Sequence, residues 1–465
     1  MKSAEDEIGR SIRVSDRAVN EAMTLPVAAH PPVRELLRRI LALAAPTILV
    51  VLLQAAGQLA ETWLAARQGT TALSAWAVVL PFALMLQQMS AGAMGGGIVS
   101  AIARTLGAGN REEASALVAH ALIIAGTAAL IFIFFLAGIP RILFGAIAGP
   151  EIAAAATPYA IWLFGAGALP AWAANTLASV LRGGGRHALA ARVLVLTGIA
   201  YPPLAWLLME PLGQGLSGAG MAFALTNAVA AVAMAVLVLR GGAGFVPHLR
   251  TRLHGALFKR ILSVGLIASL LAVIANMTTI LVTAQLSSYG VAAVAAYGIS
   301  ARLEFLMIPL SFGVGSALTA LVGRAVGARD WPTARRTAWT GGLLTFAVAG
   351  GVGLLVGLFP GIFAGAFASD PAVAGIAARG LRFTGPAFGG FGLGMAMYFA
   401  SLGAGRMFWP FLAASTRFTV AVGGGWLLGK HLGYGIEGYF IAVAAGITAY
   451  GGLTAAGVRR KVWPG

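Results

Sequence analysis

Two carboxylates lie well inside long apolar stretches of the chain, Glu61 and Glu304. The other acidic residues fall near the N-terminus or at predicted loops and helix ends. A charged side chain at the centre of a membrane-spanning helix costs about 2.5–3.5 kcal/mol, so such residues usually face a cavity or a partner. Because a carboxylate removed from water readily takes up a proton or a cation, both residues are predicted to be cation-coupling sites for H⁺ or Na⁺.

Polar side chains recur at helical spacing along one face of the first and of the seventh predicted helix. They are Gln54, Gln58 and Glu61 in the first helix and Asn276, Thr279 and Thr283 in the seventh. We interpret the two stripes as walls of one polar cavity. Hydrogen bonding between packed helices is the alternative. Glu61 is also close enough to Arg67 in sequence to be a carboxylate that reaches the membrane surface.

Glu304 shares its helix face with Tyr297 and Ser300, whereas Arg302, two residues away, cannot face it. Arg417 in the eleventh predicted helix is the partner available to Glu304, either in a structural ion pair or at a coupling site. The predicted cavity and substrate residues are therefore Gln54, Gln58, Gln87, Asn175, Asn276, Thr279, Tyr297, Ser300, Arg302 and Arg417.

The composition predicts an all-α integral membrane protein. Hydrophobic residues make up 59% of the chain, charged residues only 10%, and the mean hydropathy is +0.86. Soluble domains carry about 25% charged residues. Apolar runs of about 20 residues cross a bilayer as helices. Twelve spans are predicted, at residues 38–66, 71–103, 113–138, 151–181, 188–209, 216–239, 258–287, 291–323, 333–359, 371–401, 407–429 and 436–458.

Local patterns recur about 220 residues apart along most of the chain. Gly183 to Arg186 matches Gly403 to Arg406, and Gly215 to Gly218 matches Gly435 to Gly438. Six spans in each half give two parallel six-helix repeats, as in transporters that bind substrate between their halves. The predicted domains are a cytoplasmic N-terminal tail (1–35), an N-lobe of helices 1–6 (36–240), a cytoplasmic linker (241–257) and a C-lobe of helices 7–12 (258–460).

The basic residues predict the orientation. Of 32 Lys and Arg, 25 lie in one set of loops or in the two termini and three in the opposite loops, which places both termini in the cytoplasm. We expect a multi-pass protein of the bacterial inner (plasma) membrane. This distribution argues against nucleic acid as the partner of a chain with net charge +17. Without Cys there is no disulfide or thiolate metal site, and no cofactor is predicted.

Three stretches carry a family pattern: PTILVVLLQAAGQLAETWLAARQGTTALSAWAV, MSAGAMGGGIVSAIARTLGAGNREEA and YGVAAVAAYGISARLEFLMIPLSFGVGSALTALVGRAVGARD. In them the chain resembles the multidrug and toxic compound extrusion (MATE) transporters. That resemblance implies two six-helix lobes around a V-shaped cavity that opens alternately to each side. Glu61 corresponds to an Asp of many members, and Glu304 resembles the helix-eight acid of one bacterial branch. The helix-five Asn and Asp-Pro of many members are absent from the similar stretch, Gly198 to Pro203.

The expected function is secondary antiport. Cationic or amphiphilic organic compounds, such as drugs and toxins, would leave in exchange for H⁺ or Na⁺ by alternating access, in a monomer surrounded by membrane lipid. A lipid-linked precursor flippase of the same superfamily is the alternative, and it would have a more cationic cavity. The sequence lacks the Gly-Asp-Arg-type loop of the major facilitator proteins. We do not expect an enzyme, because no His or Cys pair lies inside the spans.

Overall fold

The computed structural model describes residues 31–368, 370–459 and 461–463. Residues 1–30 of the predicted tail lie outside these ranges. The tail was predicted to reach residue 35, but the first helix already begins at Val33. It starts directly after Pro31 and Pro32, and the Pro32 carbonyl accepts from the Glu35 N–H at 3.0 Å. Proline lacks an N–H group, so it favours the start of a helix over its interior.

The described residues form two compact units. Unit 1 is Ala42–Gly265, and unit 2 combines Leu266–Gly465 with the described part of Pro26–Leu41. The divisions fall inside two long helices. The predicted ranges 36–240, 241–257 and 258–460 divide the chain at nearby positions, and they stay a prediction.

Unit 1 is built on eight helices and three π-helical turns. The helices are α1 Val33–Arg67, α2 Thr70–Gln87, α3 Met94–Gly107, α4 Arg111–Ile133, α5 Pro140–Ala160, α6 Ala168–Gly183, α7 His187–Met209 and α8 Leu216–Leu239. The π-helical turns are Gln88–Ala93, Phe134–Gly138 and Ile161–Ala166. A single hydrophobic core contains the fully buried side chains of Phe144, Tyr159, Phe164 and Trp172.

Unit 2 follows with eight more helices and two π-helical turns. The helices are α9 Gly255–Leu286, α10 Val291–Phe305, α11 Ile308–Gly327, α12 Trp331–Leu358, α13 Pro360–Phe367, α14 Pro371–Ala404, α15 Phe408–Phe418 and α16 Gly435–Ala456. The π-helical turns are Thr419–Gly424 and Leu427–His431. Helices α12 and α14 touch at glycines, since a Cβ on Gly353 would lie 2.2 Å from the Gly385 carbonyl oxygen. Small residues permit such close packing of helices in a membrane.

The described residues support ten or eleven of the twelve predicted spans. Ten described helical segments are long and apolar enough to cross a membrane, and Pro140–Ala166 with Ala168–Gly183, bent by 42°, would be an eleventh. The predicted eighth span is divided into α10 and α11 at Leu306 and Met307. Pro309 lies in the first turn of α11, where its missing N–H costs nothing. The predicted all-α, two-repeat membrane fold is confirmed.

The backbone repeats along with the sequence. Left-handed residues recur at matched positions of the two units: Gly69 and Gly290, Gly109 and Arg329, Gly185 and Gly405, Gly213 and Gly433, and Gly215 and Gly435. Asn110 and Asp330 follow one such pair, and each side chain caps a helix by accepting from the N–H three residues on. The duplication therefore extends to loop conformation.

The chain after the last helix of each unit folds back onto the third long helix. After α8, the His248 N–H donates to Ser115 Oγ of α4 at 2.7 Å. After α16, the Trp463 carbonyl accepts from Arg335 of α12 at 2.7 Å. The Trp463 ring is fully buried and lies 5.9 Å from the ring of Trp331. In both units, the segment that follows the last helix is therefore held against a helix of the same unit, α4 in unit 1 and α12 in unit 2.

Candidate functional site

The first candidate site surrounds Glu61 of α1 in unit 1. Tyr159 of α5, which is almost fully buried, donates its hydroxyl to Glu61 Oε1 at 2.5 Å. Tyr201 of α7 and the indole of Trp76 also face the carboxylate. Gly57 lies one turn before Glu61, and a Cβ there would be 3.8 Å from the Tyr201 ring, an ordinary van der Waals distance. Three helices besides α1 therefore supply aromatic groups to one carboxylate.

Glu61 has no basic partner within ion-pair distance among the described residues. Arg67 instead binds Glu210, with Nε 2.6 Å from Oε1. The buried Nε1 of Trp76 has no hydrogen-bond partner in the described part of the chain. The surroundings thus offer hydroxyl and N–H donors and apolar rings, but no countercharge. Such a carboxylate can exchange a bound proton for another cation without first displacing a resident Arg or Lys.

The second candidate site surrounds Glu304 of α10 in unit 2. Arg417 of α15 donates to Glu304 Oε1 at 2.6 Å, and the Arg417 and Glu304 side chains are only 13% and 8% exposed. The Arg417 guanidinium lies over the rings of Phe391 and Tyr450, at 5.5 Å and 6.0 Å from their centroids. Tyr297 is buried beside the pair. Glu304 therefore has a resident cation, and aromatic rings shield that cation from water.

Two predicted cavity residues meet at the π-helical turn between α2 and α3. The amide of Asn175 on α6 donates to Gln87 Oε1 at 3.1 Å and to Ser90 Oγ at 2.8 Å. Asn175 and Ser90 are buried, and Gln87 is half-buried. Single π-helical turns inside helices occur frequently at functional sites. The Asn175 amide links α6 to two side chains at this turn.

Of the remaining predicted residues, Thr279 reaches Tyr297 in the second cluster, and the others have other neighbours. Gln54 is half-buried and Gln58 exposed on α1. Asn276 is exposed and donates to the Ala272 carbonyl of its own helix at 2.8 Å, and Thr279 donates to Ala275 at 3.5 Å. In unit 2, Ser300 hydrogen-bonds Thr384 at 2.9 Å. The assignment of these residues to the cavity stays a prediction, namely for Gln54, Gln58, Asn276, Thr279 and Ser300.

Arg302 lies on the opposite side of α10 from Glu304. It is exposed and lines a cavity of about 390 Å³ in unit 2 together with Ile299, Phe367 and Asp370. Asp370 uses Oδ1 to cap α14, accepting from the Ala372 N–H at 2.8 Å. The cavity therefore has one basic and one acidic side chain on mainly apolar walls.

Sequence reasoning included Tyr297 beside Glu304, but it missed the other aromatic groups around the two acids. Tyr159 and Tyr201 come from helices about 100 and 140 residues beyond Glu61, and no spacing rule connects them to it. A Tyr inside an apolar span was the available signal, because a buried hydroxyl needs a hydrogen-bond partner. The same signal marks Tyr450 in the last helix.

Two duplicated helical units, each with a carboxylate inside its packed helices, define the class: a multi-pass membrane protein with a two-repeat helical fold. The MatE family model matches residues 46–207 and 266–427, once in each repeat. The chain belongs to the MatE family.

Solved transporter structures share this fold. The Vibrio cholerae MATE transporter VcmN in its bent form matches at 22% identity with a TM-score of 0.85, over 92% of this chain and 98% of its own. A MOP superfamily transporter from Pyrococcus furiosus, whose binding pocket is described as having reverse polarity, matches at 22% identity and a TM-score of 0.84, over 93% and 97%. A multidrug resistance MATE family transporter in an outward-facing conformation has a TM-score of 0.83 at 22% identity, over 93% and 97%. No curated protein matches the chain in sequence.

Proposed function

We propose that this protein is a secondary antiporter of the bacterial inner membrane. It exports cationic or amphiphilic organic compounds in exchange for H⁺ or Na⁺ by alternating access, as a monomer with both termini in the cytoplasm. The observation that carries this proposal is Glu61, a half-buried carboxylate without a countercharge that accepts a hydrogen bond from Tyr159. One such group can bind either the coupling ion or a cationic substrate, but not both.

Mutual exclusion of this kind links the two movements. When the inward-moving ion occupies Glu61, the negative charge is neutralised and the substrate is released. The membrane potential favours the inward movement of each positive charge by about 2.3 kcal/mol per 100 mV. This energy can drive export against a concentration gradient.

The donors around Glu61 favour H⁺ over Na⁺ as the coupling ion. Sodium needs several oxygen ligands, whereas the groups near Glu61 are two tyrosine hydroxyls, one of which donates to the carboxylate, and the N–H of Trp76, which cannot ligate a cation. Glu304 is the weaker coupling residue of the proposal, because Arg417 already neutralises it.

Purified protein in liposomes tests the proposal. Efflux of a fluorescent organic cation is followed under an imposed pH gradient or an imposed Na⁺ gradient for wild type, Glu61→Gln and Glu304→Gln. The matched control is Glu210→Gln, which removes a carboxylate that binds Arg67 at 2.6 Å. We expect Glu61→Gln to lower efflux to the level of empty liposomes and Glu210→Gln to retain it. Wild-type efflux by Glu61→Gln would refute the coupling role.

A flippase for lipid-linked precursors is the second candidate, and Arg302 is the observation that favours it. This exposed guanidinium on a cavity wall suits a phosphate group better than an organic cation. The same liposomes then decide between the two. Movement of a fluorescent lipid-linked diphosphate sugar, without movement of an organic cation, would replace the antiporter proposal.

A further inference from the structure

A basic segment, residues 240–260, joins α8 to α9 and belongs to unit 1. It contains five Lys and Arg and no Asp or Glu. Between residues 246 and 254 it forms neither helix nor strand. Hydrogen bonds to the rest of unit 1 therefore fix the position of this segment.

Two hydrogen bonds from its backbone pin this segment to α4. The His248 N–H donates to Ser115 Oγ at 2.7 Å, and the His254 N–H donates to His120 Nε2 at 3.0 Å. His120 is fully buried, and its Nδ1 lies 2.8 Å from the Ala116 carbonyl, to which it donates. That bond leaves Nε2 as the acceptor for His254, and the Phe258 ring packs against the imidazole at 4.6 Å.

The pinned ends force the chain between them outward. Ser115 and His120 are about 7.5 Å apart along the helix axis, since each residue adds about 1.5 Å. The six residue-to-residue steps from His248 to His254 could span about 20 Å when extended. The excess length forms a loop whose exposed side chains include Leu249 and Leu253, at 48% and 60% exposure.

Arg250 and Arg252 lie between these two leucines and are also exposed. Neither arginine forms an ion pair with any other described residue. Thr251, between them, is half-buried with its hydroxyl turned inward. The exposed loop thus presents two guanidinium groups flanked by two aliphatic side chains. Because hydrogen bonds to α4 already hold both ends of the loop, binding a ligand requires little further ordering of its backbone.

We propose that the exposed loop, residues 248–254, binds the headgroups of anionic phospholipids in the cytoplasmic leaflet. Guanidinium groups bind phosphate through paired hydrogen bonds, and exposed leucines enter the boundary between headgroups and acyl chains. Basic clusters directly beside a membrane helix attract anionic lipid, about fivefold per residue. The assignment to the cytoplasmic leaflet rests on the orientation in the proposed function.

Native mass spectrometry of the full-length protein in detergent tests the lipid preference directly. Phosphatidylglycerol competes with phosphatidylcholine for wild type and for Arg250→Gln/Arg252→Gln. The control, Arg141→Gln/Lys430→Gln, removes the same charge from exposed residues of the opposite predicted side. We expect the first double variant to lose about 25-fold in preference for phosphatidylglycerol and the control to keep it. Equal losses in both variants, or no loss in either, would overturn the proposal.

A second measurement separates this proposal from the proposed function. Because the chain has no Cys, Leu253→Cys carries the only thiol. In right-side-out vesicles, a membrane-impermeant thiol reagent should not reach it. Labelling from outside would refute the cytoplasmic orientation and the assignment to that leaflet, whereas the competition experiment still reports whether the loop binds anionic lipid.

Discussion

Glu61 and Glu304, the two carboxylates among the packed helices, have opposite surroundings. Glu61 in unit 1 meets Tyr159 but no cation, whereas Glu304 in unit 2 is paired with Arg417 at 2.6 Å. The duplication does not explain either one, because the matched positions are apolar: Val282 for Glu61 and Ala83 for Glu304. Neither acid is therefore repeated at the matched position of the other unit.

The difference separates two uses of a buried charge. A carboxylate without a countercharge can change its bound ion, which is what a coupling site requires. A carboxylate that is held by a buried guanidinium is costly to disturb, because removing either partner leaves the other charge unpaired. The comparison predicts that loss of Glu61 affects transport and that loss of the Glu304 partner affects stability.

The largest expected effect is on stability in unit 2. Arg417→Met should destabilise the protein by about 3–5 kcal/mol, because it leaves Glu304 buried without a partner. Arg67→Met is the matched control, since Arg67 is 51% exposed and pairs with Glu210, and it should cost less than about 1 kcal/mol. Thermal unfolding in detergent, followed by tryptophan fluorescence, measures both. Equal unfolding midpoints for the two variants would show that the buried Glu304–Arg417 pair matters no more for stability than the exposed Arg67–Glu210 pair.

A smaller effect concerns the pH dependence of unit 1. Tyr159→Phe removes the hydroxyl that donates to the ionised Glu61. A hydrogen bond to a charged group contributes about 1.5–3 kcal/mol, which corresponds to about one to two pH units. Because the lost bond favoured the ionised form, the half-maximal pH of cation efflux should move upward.

Tyr297→Phe in unit 2 is the control for that shift. Tyr297 lies beside Glu304, whose negative charge is already paired with Arg417. Its pH profile in the same liposome assay should match wild type. A downward shift for Tyr159→Phe, or equal shifts for both variants, would contradict the assignment of proton exchange to Glu61.

The smallest expected effect tests the repeated backbone. Gly109 and Arg329 occupy the same left-handed loop position, with φ of 79° and 61°. Gly109→Ala should cost about 1 kcal/mol through backbone strain alone, since no atom lies within 4 Å of its Cβ position. Arg329→Gly should gain no more than about 1 kcal/mol, because relief of strain is offset by a more flexible unfolded chain. Denaturation of each variant against wild type checks the opposite signs.

Much of the architecture followed from local patterns. The length of the apolar segments predicted the spans. The recurring glycines predicted the duplication, and the structure shows left-handed loop residues at the matched positions of both units. Glu61 and Glu304 stood out because ionised groups are rare in membrane helices. The helix start at Val33 and the break at Leu306 and Met307 were not predicted, because proline effects shift boundaries by a few residues without changing hydropathy.

The sequence by itself determined the membrane class, the two repeats and the two acids, since these depend on composition, spacing and the cost of burying charge. Only the tertiary structure decided what each acid meets. Tyr159 reaches Glu61 and the Phe391 and Tyr450 rings cover Arg417 through contacts between helices distant in sequence. Helix rotation and packing set those contacts, and a periodic apolar pattern leaves both undetermined because lipid-facing and core-facing residues are equally apolar.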